Sequence, residues 1–266
     1  MRLNVTHKTV YRYDEPVGYA LQQLRLMPKN SNGQNVLSWS TRVEGGRKEL
    51  SYTDQHRNHV ELISAEPDTQ QITVLCEGEV DLTLADGVVG KHIGLAPLWY
   101  YMRTTPLTSP GSALRKFVRE LPKSEDGDIA FLHALMAAIE ARVSYEIGKT
   151  HPGTTAEDAF NAGHGVCQDH THIMLSAARL LGYPARYVSG YLMLEDRVDQ
   201  DASHAWAEIH VDAIGWIGFD VSNSISPDER YIRVATGLDY TDAAPVSGMR
   251  FGSSDETMVV SVQVEQ

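Results

Sequence analysis

The nine residues HGVCQDHTH, His164 to His172, combine one cysteine, one aspartate and three histidines. Cysteine and histidine at short spacing can bind a metal ion, and a cysteine thiolate can also act as the nucleophile in acyl transfer. A structural metal site needs about four converging ligands. A nucleophile needs a base within hydrogen-bonding reach. The surrounding sequence therefore has to decide between a metal site and a catalytic nucleophile.

The metal interpretation is the weaker one. Cys167 and His170 are three residues apart and share a helix face, but His172 lies about 140° around the helix from Cys167. His164 could approach only from the preceding loop, which leaves three ligands at best, without a CxxC or HExxH pair. We expect no metal ion. We also expect neither calcium nor another cofactor, because no oxygen-rich loop has ligand spacing.

Cys167 is better placed to act as a nucleophile. The glycine-containing segment AGHG precedes it and an apolar helical pattern follows, so the thiol is predicted at a helix N-terminus. The positive end of the helix dipole and the free N–H groups there favour a thiolate and can hold a developing oxyanion. The negative charge of Asp169 opposes a nearby thiolate. A cationic partner is therefore needed.

His204 is the best candidate for that partner. It lies at the start of the strand-like run SHAWAEIHV, next to the small residues Ala202 and Ser203, where a side chain can reach a cleft. The next strand-like run, GWIGFDVSN, contains Asp220. Adjacent antiparallel strands could place Asp220 beside the imidazole, where it would fix the tautomer and stabilise imidazolium. Cys167, His204 and Asp220 are thus the predicted catalytic residues.

The spacing of apolar residues, which indicates the elements that position these residues, changes along the chain. Residues 1–95 read as short strands separated by turns, which is typical of a β-sandwich, and Cys76 falls on a core-facing strand position. Helical spacing follows, and Thr154 with Glu157 forms a capping-box pattern in TTAEDAF. Strands return after the last helix. We predict an α+β protein, with an N-terminal β-sandwich (1–95) and a core of helices packed on an antiparallel sheet (96–266).

The composition limits the possible function classes. The chain of 266 residues is 42% hydrophobic with a formal net charge of −12, which is typical of a globular protein and disfavours nucleic acid and anionic membranes as partners. Two cysteines are too few for a disulfide framework. The N-terminus lacks the apolar segment of a signal peptide, and no window is apolar enough to span a membrane. We therefore expect a cytoplasmic protein.

Three sequence blocks resemble the core of bacterial transglutaminase-like proteins, which are also described as cysteine proteases. These blocks are GHGVCQDHTHIMLSAARLLGYPARYVSGYL, SHAWAEIHV and GWIGFDVSN. The region from VTHKTVYRYDEPV through LRLMPKN is similar to the β-rich region that precedes this core in the family. The resemblance implies a papain-like fold in the second half. It also implies a Cys-His-Asp triad, which falls on Cys167, His204 and Asp220.

Two departures from the family pattern concern turns. Family members usually have DPTN at the acidic residue, where this chain has DVSN at positions 220–223. Many members carry D-x-x-GN in the N-terminal region, where this chain has DQHRN at positions 54–58. Neither departure changes a residue of the triad.

The triad implies acyl transfer through a thioester, in which Cys167 attacks an amide carbonyl and His204 protonates the departing amine. Water as the second nucleophile gives a peptidase or a deamidase, and an amine gives a transglutaminase. We favour hydrolysis of a peptide or protein amide, because excluding water needs additional architecture. Tyr145 is a candidate for the second oxyanion donor. The alternative from another class is a non-catalytic transglutaminase-like binding module, and the complete triad argues against it.

Overall fold

The strands of the protein form three main sheets, in a computed structural model that describes residues 1–122, 126–251 and 256–266. In the first part of the chain the strands are β1 (Arg2–Val17), β2 (Tyr19–Leu24), β3 (Gln34–Glu44), β4 (Gly46–Thr53), β5 (His59–Ala65), β6 (Thr69–Leu82) and β7 (Val88–Gly90). Those in the second part are β8 (Ser144–Tyr145), β9 (His164–Gly165), β10 (Ala185–Leu192), β11 (Asp199–Gln200), β12 (His204–Val211), β13 (Gly215–Phe219), β14 (Tyr231–Gly237), β15 (Val246–Phe251) and β16 (Glu256–Glu265).

The helices lie in the second part of the chain, where the sequence changes to helical spacing. They are α1 (Ser112–Glu120), α2 (Asp128–Glu140), α3 (Ala156–Ala162), α4 (Cys167–Leu180) and α5 (Tyr240–Ala243), with a short 3-10 helix at Leu98–Met102. Within the described residues, none of the helices is long and apolar enough to cross a membrane.

Two antiparallel sheets pack against each other in the N-terminal region. Their strand orders are β11-β16-β1-β6-β3 and β15-β2-β5-β4. Side chains from both sheets, including Tyr11 and Cys76 from one and Leu24 and Ile63 from the other, share one hydrophobic cluster. The core sheet has the order β14-β10-β12-β13-β7, with α4 packed on β12 and β10. The predicted α+β architecture is confirmed.

Four strands cross the predicted division at residue 95. Strand β7 pairs with β13 and so belongs to the core sheet. Strands β15 and β16, at the end of the chain, pair with β2 and β1, and β11 pairs with β16, so these three strands complete the N-terminal sheets. Each pairing satisfies backbone groups on one side of a strand that would otherwise be an open edge. The unit assigned to residues 96–266 therefore does not include the last two strands.

Helix α4 lies at the centre of the protein. Every residue from 169 to 179 is buried. Its hydrophobic cluster extends from Ile173 and Met174 to Leu3 and Val80 of the N-terminal strands, so one core joins the two regions. The helix ends where Gly182 adopts a φ of 95°, a conformation that favours glycine.

The cap of α3 differs from the sequence prediction. Thr155, and not Thr154, precedes the helix, and its hydroxyl accepts a hydrogen bond from the N–H of Asp158 at 3.1 Å. Glu157 instead caps another helix, because its carboxylate accepts hydrogen bonds from the N–H groups at the start of α1. The donors are Gly111, Ala113 and Leu114, at 2.8–3.1 Å. The carboxylate thus gains three donors in place of the single donor of a capping box.

A buried asparagine joins the N-terminal region to the edge of the core sheet. Asn58 donates from Nδ2 to the carbonyl of Thr236 in β14 and accepts at Oδ1 from the Thr236 N–H, each at 2.8 Å. Lys29 donates from Nζ to the same Oδ1 at 2.7 Å, and burial lowers the pKa of Lys29 well below its usual value. The carboxamide therefore pairs with β14 as a neighbouring strand would.

The turn that presents Asn58, which departs from the family pattern in sequence, is held by hydrogen bonds to Asp54. Asp54 accepts hydrogen bonds at Oδ1 from the N–H groups of His56 and Asn58, at 2.9 and 2.8 Å. Arg57 occupies the position of the family glycine and adopts a φ of 62°. The left-handed conformation is thus held by the Asp54 carboxylate even with a side chain present.

We expect Asn58→Ala to lower the free energy of unfolding by about 2–4 kcal/mol. The substitution leaves the buried N–H and C=O of Thr236 without partners, and each unsatisfied group costs about 1–3 kcal/mol. Urea unfolding of the full chain measures the change. Asn35→Ala, at an exposed position in β3, is the control and should stay within about 0.5 kcal/mol of the parent. Equal stability of the two variants would contradict a role for Asn58 in joining the regions.

Candidate active site

Cys167 is the first residue of α4, as the sequence predicts. Val166 precedes it in an extended conformation, and the cysteine side chain is half-buried. The backbone N–H of the first helical residue has no acceptor within the helix. The sulfur therefore lies at the positive end of the helix dipole, beside a free N–H donor.

The carboxylate of Asp169 caps the start of α4. Its Oδ2 accepts hydrogen bonds from the N–H of Val166 at 2.9 Å and from the hydroxyl of Thr150 at 2.7 Å. Gly165 allows this close approach, since a Cβ there would lie 2.7 Å from the Cβ of Asp169. The carboxylate next to the cysteine thus caps the helix, and its hydrogen bonds to these donors weaken its electrostatic repulsion of a thiolate at Cys167.

His204 and Asp220 meet at the end of the core sheet. His204 is the first residue of β12, and Asp220 directly follows β13, the neighbouring antiparallel strand. The Nε2 of His204 lies 2.6 Å from the Oδ2 of Asp220. Asn223 Nδ2 lies 3.4 Å from the same Nε2, and Cys167 also acts on the ring, since it raises the pKa of His204. Because Nε2 faces the carboxylate, Nδ1 is the nitrogen left for the sulfur.

The contact with Asp220 controls the charge of His204. Burial alone would lower the pKa of His204. The charge of Asp220, together with hydrogen bonds to Asp220 and Cys167, outweighs burial and raises the pKa to about 10. Imidazolium is therefore the favoured form at neutral pH.

Asp220 has further donors that the sequence analysis missed. Its Oδ2 also accepts from the Tyr231 hydroxyl and the Asn223 Nδ2, each at 2.7 Å, and its Oδ1 accepts from the Ser222 N–H at 3.0 Å. Burial would raise the pKa of Asp220, but His204, Asn223 and Tyr231 lower it. Asn223 could have been found from its place three residues after the acid. Tyr231 has no local signal, because it reaches the site from β14.

Aromatic rings hold the imidazole in place. Trp206 is stacked with His204 at 6.3 Å between ring centroids, and Tyr231 lies at 5.9 Å. Trp206 and Tyr231 also contact each other edge to face at 5.4 Å. Trp206 is buried, so its role is to support the histidine by packing.

Tyr145 lies close to the cysteine. It belongs to β8, which pairs in parallel with β9 and places Tyr145 opposite Gly165. Burial, followed by the charges of Cys167 and Asp220, raises the pKa of Tyr145 to about 12. The phenol therefore remains protonated and is available as a hydrogen-bond donor.

The histidines that follow Cys167 are used in packing. His170 makes a hydrogen bond through each ring nitrogen, to Ser222 and to the Val143 carbonyl, both at 2.9 Å. His172 accepts at Nε2 from the N–H of Tyr240, and burial lowers its pKa to about 3. Among the described residues, no group of three or more His, Cys, Asp or Glu side chains is placed to hold a metal ion.

The second cysteine lies in a different environment. Cys76 is fully buried between the N-terminal sheets, and burial raises the pKa of its thiol to about 12. The prediction that Cys76 is a core residue is confirmed.

Comparisons with known proteins give matches to two related family descriptions. Residues 3–81 match the family described as "Bacterial transglutaminase-like N-terminal region", and residues 115–221 match the "Transglutaminase-like superfamily". The second match includes the positions of all three predicted triad residues. The chain is also 28% identical to an uncharacterized protein of Mycobacterium tuberculosis, over 99% of this chain and 92% of that protein.

Two further similarities involve proteins with more descriptive names. A protein-glutamine gamma-glutamyltransferase of Pseudomonas aeruginosa is 29% identical over 140 residues, which cover 44% of this chain and 20% of that protein. A crystal structure from Cytophaga hutchinsonii, named "Putative Cysteine Protease", superimposes with a TM-score of 0.79 at 23% identity, over 100% of this chain and 91% of that one. This second similarity shows a shared fold. The chain therefore belongs to the bacterial transglutaminase-like proteins, in which the family's N-terminal region precedes a core of the cysteine-dependent acyl-transfer type.

Proposed function

We propose that the protein hydrolyses a peptide or protein amide through a thioester on Cys167. The observation that carries the proposal is the hydrogen-bonding contact of His204 with Asp220, together with the effect of Cys167 on the pKa of the same ring. In this triad Cys167 is the nucleophile and His204 is the general acid and base. Asp220 orients the ring and stabilises its charged form.

The proposed reaction has two steps. The Cys167 sulfur attacks the amide carbonyl, the C–N bond breaks, and the proton of His204 passes to the departing amine. Water then attacks the thioester and gives a proton to His204, and the C–S bond breaks to release the acid. The raised pKa of His204 favours the imidazolium that the first step requires.

Two donors are available for the negative charge that develops on the carbonyl oxygen. The N–H of Cys167 is free at the helix start, and the Tyr145 phenol is near enough to Cys167 for the charge of the cysteine to raise its pKa. We assign the second oxyanion contact to Tyr145. This assignment is supported by the effect of the Cys167 charge on the pKa of the phenol.

Hydrolysis is favoured over transamidation because the site is open to water. Tyr145 is 51% exposed, and Cys167 itself is half-buried. Transglutamination is the second candidate. It is supported by the partial match to the Pseudomonas aeruginosa protein-glutamine gamma-glutamyltransferase. In that case a primary amine would replace water in the second step.

Cys167 should be the fast-reacting thiol at neutral pH and should be required for amide cleavage. We expect iodoacetamide to label Cys167 in the folded protein, whereas the buried Cys76 reacts after unfolding. Peptide mapping by mass spectrometry measures both rates. A panel of N-acyl peptides and glutamine-containing peptides, with and without a primary amine, then tests the wild type against Cys167→Ser.

The products distinguish the alternatives. Release of acid and amine by the wild type, but not by Cys167→Ser, supports hydrolysis. Incorporation of the added amine into the peptide would instead favour transglutamination. Equal labelling of the two cysteines, with no product from any substrate, would contradict catalysis and favour a binding module.

Asp220 should act mainly by orienting His204. Asparagine retains a carbonyl oxygen that can accept from the ring, so Asp220→Asn should keep most of the Cys167 labelling rate. Asp220→Ala should lower the rate by about tenfold or more, which corresponds to about 1.4 kcal/mol. The control is Asp212→Ala, at a fully exposed position, which should label at the wild-type rate. Wild-type labelling of a folded Asp220→Ala would exclude Asp220 from the triad.

The pKa of His204 should lie far above that of an ordinary histidine. The folded-state pKa is raised to about 10 from the reference value of 6.5. Its contribution to stability is therefore fully present below pH 6.5 and is lost as the pH rises through about 10. NMR of histidine labelled with carbon-13 at Cε1 measures the titration directly. Asp220→Asn should move it to lower pH, and a wild-type titration at or below the reference value would contradict the charged pair.

A further inference from the structure

A cavity of about 300 Å³ lies between the two N-terminal sheets. Tyr11, Tyr13 and Met258 line it from the sheet that contains β1 and β16. Gln22 and Gly248 line it from the sheet that contains β2 and β15. The volume is at the lower end of the range of about 300–1,000 Å³ that is usual for small-molecule sites.

Two buried polar atoms in this cavity lack hydrogen-bond partners among the described residues. They are the hydroxyl of Tyr13 and the Oε1 of Gln22. The two residues are only 5% and 6% exposed. A buried polar group without a partner costs about 1–3 kcal/mol, so both atoms favour a ligand that completes their hydrogen bonds.

The space beside Gln22 depends on a glycine. Gly248 pairs with Gln22 in the adjacent strand, and a Cβ at this position would lie 2.9 Å from the Cγ of Gln22. A larger residue would press on the Gln22 side chain and fill part of the cavity. Gly248 therefore keeps open the region next to the unpaired oxygen.

The charges around the cavity favour a neutral ligand. Glu256 and Arg250 also line it, and they form an ion pair at 3.8 Å with each side chain 32% exposed. Burial raises the pKa of Tyr13 to about 12, so its hydroxyl stays protonated and can donate a hydrogen bond. The cavity thus offers a phenol donor and a carboxamide acceptor without a free charge.

We propose that this cavity binds a small neutral compound with a secondary amide and an apolar chain. The ligand N–H donates a hydrogen bond to the Oε1 of Gln22, and the ligand C=O accepts a hydrogen bond from the Tyr13 hydroxyl. The chain packs against Tyr11 and Met258. Rotation of the Gln22 carboxamide would exchange its acceptor for a donor, and an amide would still satisfy it. The proposal is independent of catalysis at Cys167.

A matched pair of compounds tests the amide requirement. N-isopentylacetamide and isopentyl acetate have the same carbon skeleton and differ at one group, since an ester oxygen replaces the amide N–H. They are titrated into the full chain carrying Cys167→Ser, which prevents turnover, and backbone signals are followed by proton–nitrogen NMR. We expect the amide to shift signals of β1, β2, β15 and β16. The ester should bind at least about tenfold more weakly, as expected for a lost buried hydrogen bond.

Two variants test the assigned atoms. Gln22→Leu and Tyr13→Phe should each weaken amide binding by about tenfold. In the absence of ligand each should raise the melting temperature, because an unpaired buried polar atom is removed. Tyr52→Phe, at an exposed position in β4, is the control and should bind as the parent does.

The proposal is overturned if the amide causes no shifts or shifts only signals around Cys167. It is also overturned if both variants bind as tightly as the parent, since Tyr13 and Gln22 would then hold ordered water only. If one variant does not fold, the other variant and the amide–ester comparison give the result.

Discussion

The arrangement of the candidate site depends on the burial of one carboxylate. Asp220 is fully buried, and a carboxylate without partners would pay several kcal/mol to leave water. Hydrogen bonds from His204, Asn223, Tyr231 and the Ser222 N–H offset that cost. These donors come from β12, β14 and the turn after β13. The buried charge therefore requires these three segments to converge, and the same convergence sets the orientation of the imidazole.

The N-terminal region takes part in this convergence through the edge of the core sheet. Strand β14 carries Tyr231, and within the described part of the chain no further strand pairs with its outer side in the core sheet. Asn58 fills that position by pairing with both backbone groups of Thr236. After α5 the chain returns to the N-terminal sheets as β15 and β16. The region that precedes the core thus supports the strand whose Tyr231 holds the Asp220 carboxylate, and one hydrophobic cluster spans both.

The position of Cys167 shows how the fold resolves an electrostatic conflict. A carboxylate two residues from a thiolate opposes it by charge repulsion. Here the Asp169 carboxylate is directed to the Val166 N–H and the Thr150 hydroxyl, where it caps α4. Because α4 is buried along most of its length, its start is fixed relative to β12. The helix end and the imidazolium of His204 then act on the sulfur together.

The sequence by itself determined the local elements that carry the chemistry. Glycine and an apolar stripe place Cys167 at a helix start, and alternation places His204 and Asp220 at the ends of neighbouring strands. The partnership of Tyr231 with Asp220, the cap formed by Glu157 on α1 and the return of β15 and β16 were decided by the tertiary structure. The reason is physical. Periodicity and capping patterns report the environment of a single element, whereas strand order and long-range hydrogen bonds depend on which surfaces are buried together.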